Sequence, residues 1–192
     1  MNGTIREQKQ KLRSLYLRER RRLTIDTVRE VGHEILHILD KNGVIADNNV
    51  FHVYYPINNE VDTRPLITRL FALGKTVLMP RTNFDLGTID TFIVRSFEDL
   101  EITRFGMHEP KRSCRLFTDE PDVVCVPGAV FDMNGNRIGY GKGFYDGFLA
   151  FNNAKKIAFA YDFQVIESLP HDPHDIKMDM IVTEKSIISA QL

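Results

Sequence analysis

The middle of the chain reads Val123-Val-Cys-Val-Pro-Gly-Ala-Val-Phe-Asp-Met-Asn-Gly-Asn-Arg-Ile-Gly-Tyr-Gly-Lys-Gly-Phe-Tyr-Asp146. Its first four residues are apolar and predict a buried strand, and the residues from Phe144 to Phe151 place apolar side chains at helical spacing. Between them lies a glycine-rich loop with two cations, Arg137 and Lys142. This order is typical of a phosphate-binding segment, because glycines let backbone N–H groups approach an anion and a helix N-terminus adds positive potential.

Two familiar phosphate-binding motifs do not fit this loop. A Walker A motif has glycine where this chain has Asn136, and serine or threonine where it has Gly143. The dinucleotide fingerprint G-x-G-x-x-G also fails, because Gly139, Gly141 and Gly143 alternate. The alternative interpretation is a glycine-rich surface turn with two solvated cations.

The chain has 43% hydrophobic and 27% charged residues, which is ordinary for a globular protein. Its length predicts one domain, residues 1–192. A net charge of −1 argues against a dedicated nucleic-acid binder. No apolar run predicts a membrane span or a signal peptide. The two cysteines, Cys114 and Cys125, favour a reducing cytoplasm over a disulfide framework. We therefore expect a cytoplasmic protein with neither a nucleic-acid nor a membrane partner. The oligomeric state stays open, with a monomer favoured.

Predicted strands and helices alternate along the chain. A strand over Val50–Tyr55, a loop to Thr63, a helix through Leu73 and a strand over Thr76–Met79 have the size of a βαβ unit. Further strands are predicted over 89–94 and 155–161, and further helices over 4–23 and 24–43. The alternation predicts an α/β sheet covered on both faces, with functional loops at the carboxyl ends of its strands.

The central segment also resembles the signature of a known family. Phe131-Asp-x-x-Gly-x-Arg-Ile-Gly-Tyr-Gly-Lys-Gly-Phe-Tyr-Asp146 is similar to that of the 5-formyltetrahydrofolate cyclo-ligases, also called methenyltetrahydrofolate synthetases. Shorter matches are Lys9-x-x-Leu-Arg13, Glu60-Val-Asp-Thr63, Phe105-Gly-Met-His-Glu-Pro110, and the closing pattern Gln164, Leu169-Pro170, Asp175, Asp179 and Ile181-Val-Thr183. The resemblance implies a single three-layer α/β domain with a mostly parallel, Rossmann-like central sheet.

The resemblance implies an ATP site around the central loop. Lys9 and Arg13 are four residues apart on the first predicted helix and share a face; in the family this pair reaches the ATP phosphates, and a solvated basic helix is the alternative. The catalytic residues implied are Lys142, Arg137, Phe144 and Tyr145. The ATP-binding residues implied are Lys9, Arg13, Arg137, Ile138, Gly139, Tyr140, Gly141, Lys142, Gly143, Phe144 and Tyr145.

The same resemblance implies a folate site and a magnesium site. Glu60 is expected to bind the pterin, since a carboxylate can accept two parallel N–H bonds from its 2-amino-4-oxo edge; the alternative is an acid favoured by the dipole of the following helix. The substrate-binding residues implied are Tyr55, Glu60, Met107, Tyr140 and Phe144. The implied Mg²⁺ ligands are Asp146 and Asp179, which supply the hard oxygen atoms that this ion prefers; solvated acids are the alternative.

The expected function is the ATP- and Mg²⁺-dependent conversion of 5-formyltetrahydrofolate to 5,10-methenyltetrahydrofolate with release of ADP and phosphate, through phosphorylation of the formyl oxygen and attack by N10. The first alternative is a non-catalytic nucleotide- or RNA-binding protein of the same fold. Glu60, Asp146 and Asp179 weigh against it, because a binder of a phosphate backbone gains nothing from these acids. Another small-molecule kinase or ligase is a further alternative. Phe144 replaces a tyrosine found in many family members, so a hydroxyl contact there is lost.

Overall fold

The computed structural model describes residues 3–103 and 106–190, so Phe105 of the short Phe-Gly-Met-His-Glu-Pro motif lies outside the described residues. The helices are α1 (Ile5–Arg20), α2 (Ile25–Lys41), α3 (Arg64–Ala72) and α4 (Phe144–Leu149). The strands are β1 (Val50–His52), β2 (Thr76–Asn83), β3 (Thr88–Val94), β4 (Leu100–Ile102), β5 (His108–Pro110), β6 (Val123–Val126), β7 (Val130–Asp132), β8 (Arg137–Ile138), β9 (Lys155–Phe159), β10 (Val165–Ile166), β11 (Met180–Val182) and β12 (Ile187–Ser189).

Within these residues the main sheet has seven strands in the order β12-β11-β9-β6-β1-β2-β3. The strands from β11 to β2 in this order run parallel to one another, while β12 and β3 pair antiparallel at the two edges. Two smaller sheets, β10-β7-β8 and β4-β5, lie beside it. The prediction of a mostly parallel α/β sheet is confirmed.

Strand β6 shows that the sheet is covered on both faces. All four of its residues are buried. Val123 and Cys125 belong to the apolar cluster that contains residues of α2 and α3, whereas Val124 and Val126 pack with Leu149 of α4. Because successive strand residues point to opposite faces, helices lie on both sides of this strand. Burying each large apolar side chain stabilises such a core by roughly 1.5–3 kcal/mol.

Each of the two N-terminal helices begins after a threonine that caps it. Thr4 and Glu7 form a capping box at the start of α1, with Thr4 Oγ1 3.3 Å from Glu7 N. Thr24 caps α2 by accepting a hydrogen bond from Thr27 N at 3.1 Å. Helix α1 ends at Arg20, three residues before the predicted Leu23.

Strands β1 and β2 end at different places from those predicted. Strand β1 stops at His52, whereas β2 continues past Pro80 to Asn83. The β1–β2 ladder ends where His52 is paired with Leu78, and beyond that point β2 pairs only with β3 among the described strands. Proline has no N–H to donate and is tolerated on such an unpaired strand edge. From Pro80 onward, the edge of β2 that faced β1 is therefore unpaired among the described strands.

The segment after β6 is more ordered than a single glycine-rich loop. Val130 and Phe131 of β7 pair antiparallel with Ile138 and Arg137 of β8, so a hairpin follows the strand. The glycine loop proper spans only residues 139–143 and leads directly into α4. Among the described residues, no helix has both the length and the apolar character needed to cross a membrane.

Candidate active site

A cavity of about 310 Å³ lies beyond the carboxyl ends of β1 and β6, where open α/β sheets commonly bind ligands. Its wall is built by the loops after these strands, by β2 beyond the end of β1, by the glycine loop with the start of α4, and by one face of α1. The predicted residues that line it are Lys9, Arg13, Tyr55, Glu60, Met107, Arg137, Ile138, Gly139, Tyr140, Gly141, Lys142, Gly143, Phe144, Tyr145 and Asp146. The structure thus brings together residues that the sequence scatters over most of its length.

The glycine loop presents donors and a cation to this cavity. Gly141 and Gly143 have φ values of 86° and 74°, a left-handed conformation that favours glycine. The backbone N–H groups of residues 141–143 donate no hydrogen bond to any described residue. The Lys142 ammonium group likewise forms no ion pair within the described part of the chain. Such a loop can surround an anion with backbone dipoles and one mobile charge.

Helix α1 supplies two more cations to the same cavity. Arg13 Nε donates to the carbonyl oxygen of Gly139 at 2.7 Å, which ties the helix to the glycine loop. Lys9 Nζ donates to Asp172 Oδ2 at 2.6 Å and to Asp175 Oδ2 at 2.5 Å. Burial alone would lower the pKa of Lys9, but the two carboxylates raise it, so the ammonium form is held.

Arg137 lies beneath the loop and is paired with the first acid of α4. Its Nη2 donates to Asp146 Oδ1 at 2.6 Å, and its Nη1 donates to Pro127 O at 3.3 Å. The side chain is 3% exposed, and Nε has no partner among the described residues. The guanidinium also lies 6.0 Å from the ring centroid of Tyr145. This pair brings a cation and a carboxylate to the same edge of the cavity.

Glu60 provides a buried carboxylate to the same cavity. The residue is 4% exposed, and its Oε2 accepts a hydrogen bond from Ile57 N at 2.9 Å. Its Oε1 accepts one from the Tyr140 hydroxyl at 2.5 Å. Burial raises the pKa of Glu60, against the opposing effects of Arg20 and Tyr140. A carboxylate held in this way can still accept further N–H donors, since each oxygen has two lone pairs.

Aromatic side chains form the apolar wall. Tyr55 stacks on His108 with ring centroids 4.4 Å apart, and Phe144 meets Phe84 edge-on at 5.6 Å. The hydroxyl of Tyr145 is buried without a partner among the described residues, and burial raises its pKa well above the ordinary value. Flat walls of this kind accommodate planar heteroaromatic rings.

Asp179 is the predicted residue that the structure does not bring to the cavity. It precedes β11, at the amino ends of β9 and β11, whereas the cavity lies beyond the carboxyl ends of parallel strands. Its Oδ2 accepts a hydrogen bond from Lys156 N at 2.7 Å, which fixes the start of β9. The predicted pair of Mg²⁺ ligands is therefore not assembled here. Asp175, four residues earlier in the same acidic segment, lines the cavity instead.

Arg20 is a residue of this region that sequence reasoning missed. It stands in a basic helix and received no assignment from the sequence, but it is 1% exposed and bonded to Tyr140. The available signal was periodicity, because Arg13 and Arg20 are seven residues apart and so lie on one helix face.

The fold and the cavity define an α/β protein with a composite ligand site, cationic around its glycine loop and acidic at Glu60, at the carboxyl edge of a parallel sheet. A sequence model of the 5-formyltetrahydrofolate cyclo-ligase family matches residues 5–184. The chain therefore belongs to this family of enzymes, as the central signature predicted.

Individual relatives agree with this assignment. The chain is 30% identical to 5-formyltetrahydrofolate cyclo-ligase of Mus musculus over 197 residues, covering 96% of this chain and 93% of that protein. It is 30% identical to the protein of the same name from Escherichia coli K12 over 178 residues, covering 89% and 98%. The NMR structure of Aquifex aeolicus 5,10-methenyltetrahydrofolate synthetase superposes with a TM-score of 0.85 at 32% identity, covering 95% of this chain and 93% of that one.

Proposed function

We propose that this protein converts 5-formyltetrahydrofolate to 5,10-methenyltetrahydrofolate and consumes ATP, releasing ADP and phosphate. The observation that carries the proposal is that one cavity presents both a cationic glycine loop and the buried carboxylate of Glu60. A triphosphate needs the first and the amino-oxo edge of a pterin needs the second. The names of the relatives point to the same reaction.

The chemistry explains why one cavity must hold both substrates. The N5-formyl group is an amide, and its oxygen is a poor leaving group. Transfer of the γ-phosphoryl group of ATP to that oxygen gives an iminium phosphate, whose formyl carbon N10 can attack. N10 then loses its proton, the C–O bond breaks, and phosphate leaves with the former formyl oxygen. Such a reaction is accelerated mainly by positioning and by stabilisation of phosphoryl charge.

We assign the triphosphate to the cationic half of the cavity. Lys142 and the loop N–H groups surround the phosphoryl groups, and Arg13 and Lys9 approach from α1. Arg137 carries the deeper charge, held at 2.6 Å from Asp146. Preorganised donors of this kind stabilise charge in the transition state without reorganising at the moment of reaction.

We assign the pterin to the acidic half. Glu60 accepts N–H bonds from the ring, and its fixed position turns the formyl oxygen toward the phosphate groups. Tyr55, Met107, Tyr140 and Phe144 line the space around the folate. The Phe144 ring can only pack, since it has no hydroxyl group.

The cavity also fits a magnesium ion, with a different second ligand from the one predicted. Asp146 and Asp175 both line the cavity and offer hard carboxylate oxygens, while Asp179 lies at the opposite end of the sheet. We therefore assign Mg²⁺ to Asp146, Asp175 and the phosphate oxygens. When bound, the ion would neutralise charge on the triphosphate.

We further propose that the protein works in the cytoplasm. Both cysteines are free, and Cys125 is buried in β6, where burial raises the pKa of its thiol. Free cysteines such as these do not require an oxidising compartment. The cations of α1 that face the cavity favour the enzyme over a nucleic-acid binder, since Lys9 and Arg13 are engaged there and do not form an open basic surface.

The deciding experiment is an absorbance assay for the methenyl product. Purified protein is mixed with 5-formyltetrahydrofolate in the presence and absence of MgATP, and ADP is measured in parallel. Product and ADP should appear in equal amounts, and only in the complete mixture. A folded protein that binds ATP yet forms no product in the complete mixture would instead be a non-catalytic nucleotide binder.

A further inference from the structure

Arg20, the last residue of α1, is buried although the two arginines that follow it are exposed. Its exposed fraction is 1%, while Arg21 and Arg22 face solvent. Burying a guanidinium group is unfavourable unless its N–H donors are satisfied and its charge is compensated. The partners of Arg20 must therefore account for its position.

The nitrogen atoms of this guanidinium bind three separate segments of the cavity wall. Nε donates to Asn58 O at 3.1 Å, Nη1 donates to Gly128 O at 3.1 Å, and Nη2 donates to the hydroxyl of Tyr140. These acceptors lie in the loop after β1, the loop after β6 and the glycine loop. Because the guanidinium is planar and its donors have a fixed geometry, it holds the three segments in one arrangement.

The first of these segments presents Glu60. Asn58 and Asn59 have φ values of 49° and 57°, which are uncommon for residues other than glycine. Arg20 stabilises this turn twice, through its guanidinium at Asn58 O and through its own carbonyl oxygen, which accepts from Asn59 Nδ2 at 3.3 Å. The turn closes when Ile57 N donates to Glu60 Oε2 at 2.9 Å. The end of α1 thus fixes the backbone that carries the acid.

The contact between Arg20 and Tyr140 sets the direction of the hydrogen bond between Tyr140 and Glu60. A tyrosine hydroxyl has one proton, and an arginine can only donate. Since Arg20 donates to the Tyr140 oxygen, the Tyr140 proton is available to Glu60 Oε1, 2.5 Å away. The chain of donors therefore runs from Arg20 through Tyr140 to Glu60 and leaves the carboxylate as an acceptor.

We propose that Arg20 is a positioning residue of the folate site, which orients Tyr140 and the 57–60 turn so that Glu60 is presented to the pterin as an ionised acceptor. The proposal rests on the proposed role of Glu60. Arg20 is not among the residues that line the cavity, so it acts through Glu60 and does not touch the substrate.

The charges around Glu60 give this role a measurable signature. The groups that face it are Arg20 from α1, Tyr140 from the glycine loop, Tyr54 beyond β1, Tyr145 of α4 and Tyr161 beyond β9. Of these groups, Arg20 carries the positive charge, and the four hydroxyls stay neutral in the working pH range because their pKa values are raised. Removing this charge raises the pKa of Glu60 further. As the pH falls, a variant without the charge should therefore lose folate binding at a higher pH than the wild type does.

The test compares Arg20→Met, Arg20→Lys and Tyr140→Phe with the matched control Arg21→Met, which removes an exposed charge one residue away. The KM values for 5-formyltetrahydrofolate and for ATP are measured between about pH 5 and pH 8, and folding is checked by circular dichroism. Arg20→Met should raise the folate KM by roughly tenfold or more and leave the ATP KM within about twofold of wild type. It should also shift the acid limb of the plot of folate KM against pH to a higher pH. The control should match the wild type.

Arg20→Lys keeps the charge but cannot reach all three acceptors, so it should raise the folate KM while leaving the acid limb in place. Tyr140→Phe interrupts the same chain of hydrogen bonds from Arg20 to Glu60. The increase in folate KM in the Arg20→Lys/Tyr140→Phe double variant should therefore be smaller than the product of the two single increases. These two variants decide the matter if Arg20→Met does not fold. A folate KM within about twofold of wild type in Arg20→Lys, or fully multiplicative effects, would overturn the proposal.

Glu60→Gln in the same assay separates this inference from the proposed function. If Glu60→Gln raises the folate KM and the Arg20 variants do not, only the role of Arg20 is wrong. If Glu60→Gln itself leaves the folate KM unchanged, the assignment of the pterin to Glu60 is wrong as well.

Discussion

Arg137 and Asp146 hold each other at 2.6 Å, although one is expected to bind phosphate and the other magnesium. Among the described residues only Oδ1 of this carboxylate accepts a side-chain hydrogen bond, and the Asp146 side chain is 43% exposed and lines the cavity, so its other oxygen can still bind a ligand. The pair therefore places a cation and a potential metal ligand side by side before ATP arrives. It also prevents Arg137, which is almost fully buried, from standing as an uncompensated charge.

The position of Asp175 leads to a prediction about magnesium. Asp175→Asn should raise the Mg²⁺ concentration needed for half-maximal activity by roughly tenfold, because it removes a charged oxygen ligand from the cavity. Asp179→Ala should leave that requirement unchanged and lower the free energy of unfolding by about 1–2 kcal/mol, since Lys156 N loses its acceptor. Magnesium titrations and urea unfolding of both variants measure the two effects. A raised Mg²⁺ requirement in Asp179→Ala alone would reverse the assignment.

Lys142→Ala should weaken transition-state stabilisation by about 2–4 kcal/mol, because a charge-assisted contact with phosphate is lost. Steady-state kinetics should show this as a fall in kcat/KM for ATP of roughly 30- to 1,000-fold. Lys155→Ala is the matched control, since this exposed lysine lies at the amino end of β9, away from the cavity. Wild-type kinetics in Lys142→Ala would show that this lysine does not bind phosphate.

Glu60→Gln should weaken folate binding and leave ATP affinity almost unchanged. The amide keeps one acceptor oxygen but loses the charge and the second acceptor, so the binding free energy for folate should weaken by roughly 1.5–3 kcal/mol. Calorimetric titration with each substrate separately measures both affinities. Glu34→Gln, an exposed position on α2, is the control. Equal loss of folate and ATP binding would indicate a general disturbance of the cavity.

His52 predicts a dependence of stability on pH. It is fully buried, both ring nitrogens lack partners among the described residues, and burial lowers its pKa to about 3. The unfolded chain takes up this proton near pH 6.5 and the folded chain does not. Stability is therefore lost as the pH falls from about 6.5 toward 3, at up to about 1.4 kcal/mol per pH unit. Urea unfolding at several pH values measures this slope.

His52→Leu should flatten this slope and be at least as stable as the wild type near pH 5, because it removes the proton uptake and two unsatisfied nitrogens. His33→Gln, at an exposed position on α2, should leave the slope unchanged. A slope that persists in His52→Leu would have to come from other groups.

Much of the fold follows from local patterns in the sequence. The unit from β1 through α3 to β2 was predicted because a β-branched strand, a helix and a second strand occur at close spacing. The hairpin of β7 and β8 was missed, because its strands are two and three residues long and contain few alternating apolar positions. Short strands are specified by their partners, and partners are not visible in a local pattern.

The site was predicted less completely, for a similar reason. Asp175 and Asp179 lie in one acidic segment, and their spacing does not tell which of them reaches the carboxyl end of the sheet. The strand direction decides it, since Asp179 precedes β11 and bonds to Lys156 at the start of β9. Arg20 was missed because its burial is created by acceptors from three distant segments.

The contacts of Lys9 have a consequence for how the protein is made. Lys9 and Asp175 are 166 positions apart, so Lys9 is synthesised long before its carboxylate partner. Chains fold from the N-terminus as they emerge, and distant contacts form late because the intervening loop must close first. A chain that stops before residue 172 would contain β1, β2 and β6, but Lys9 would lack both of its carboxylate partners. The cavity is therefore complete only after the segment that carries Asp172 and Asp175 has been synthesised.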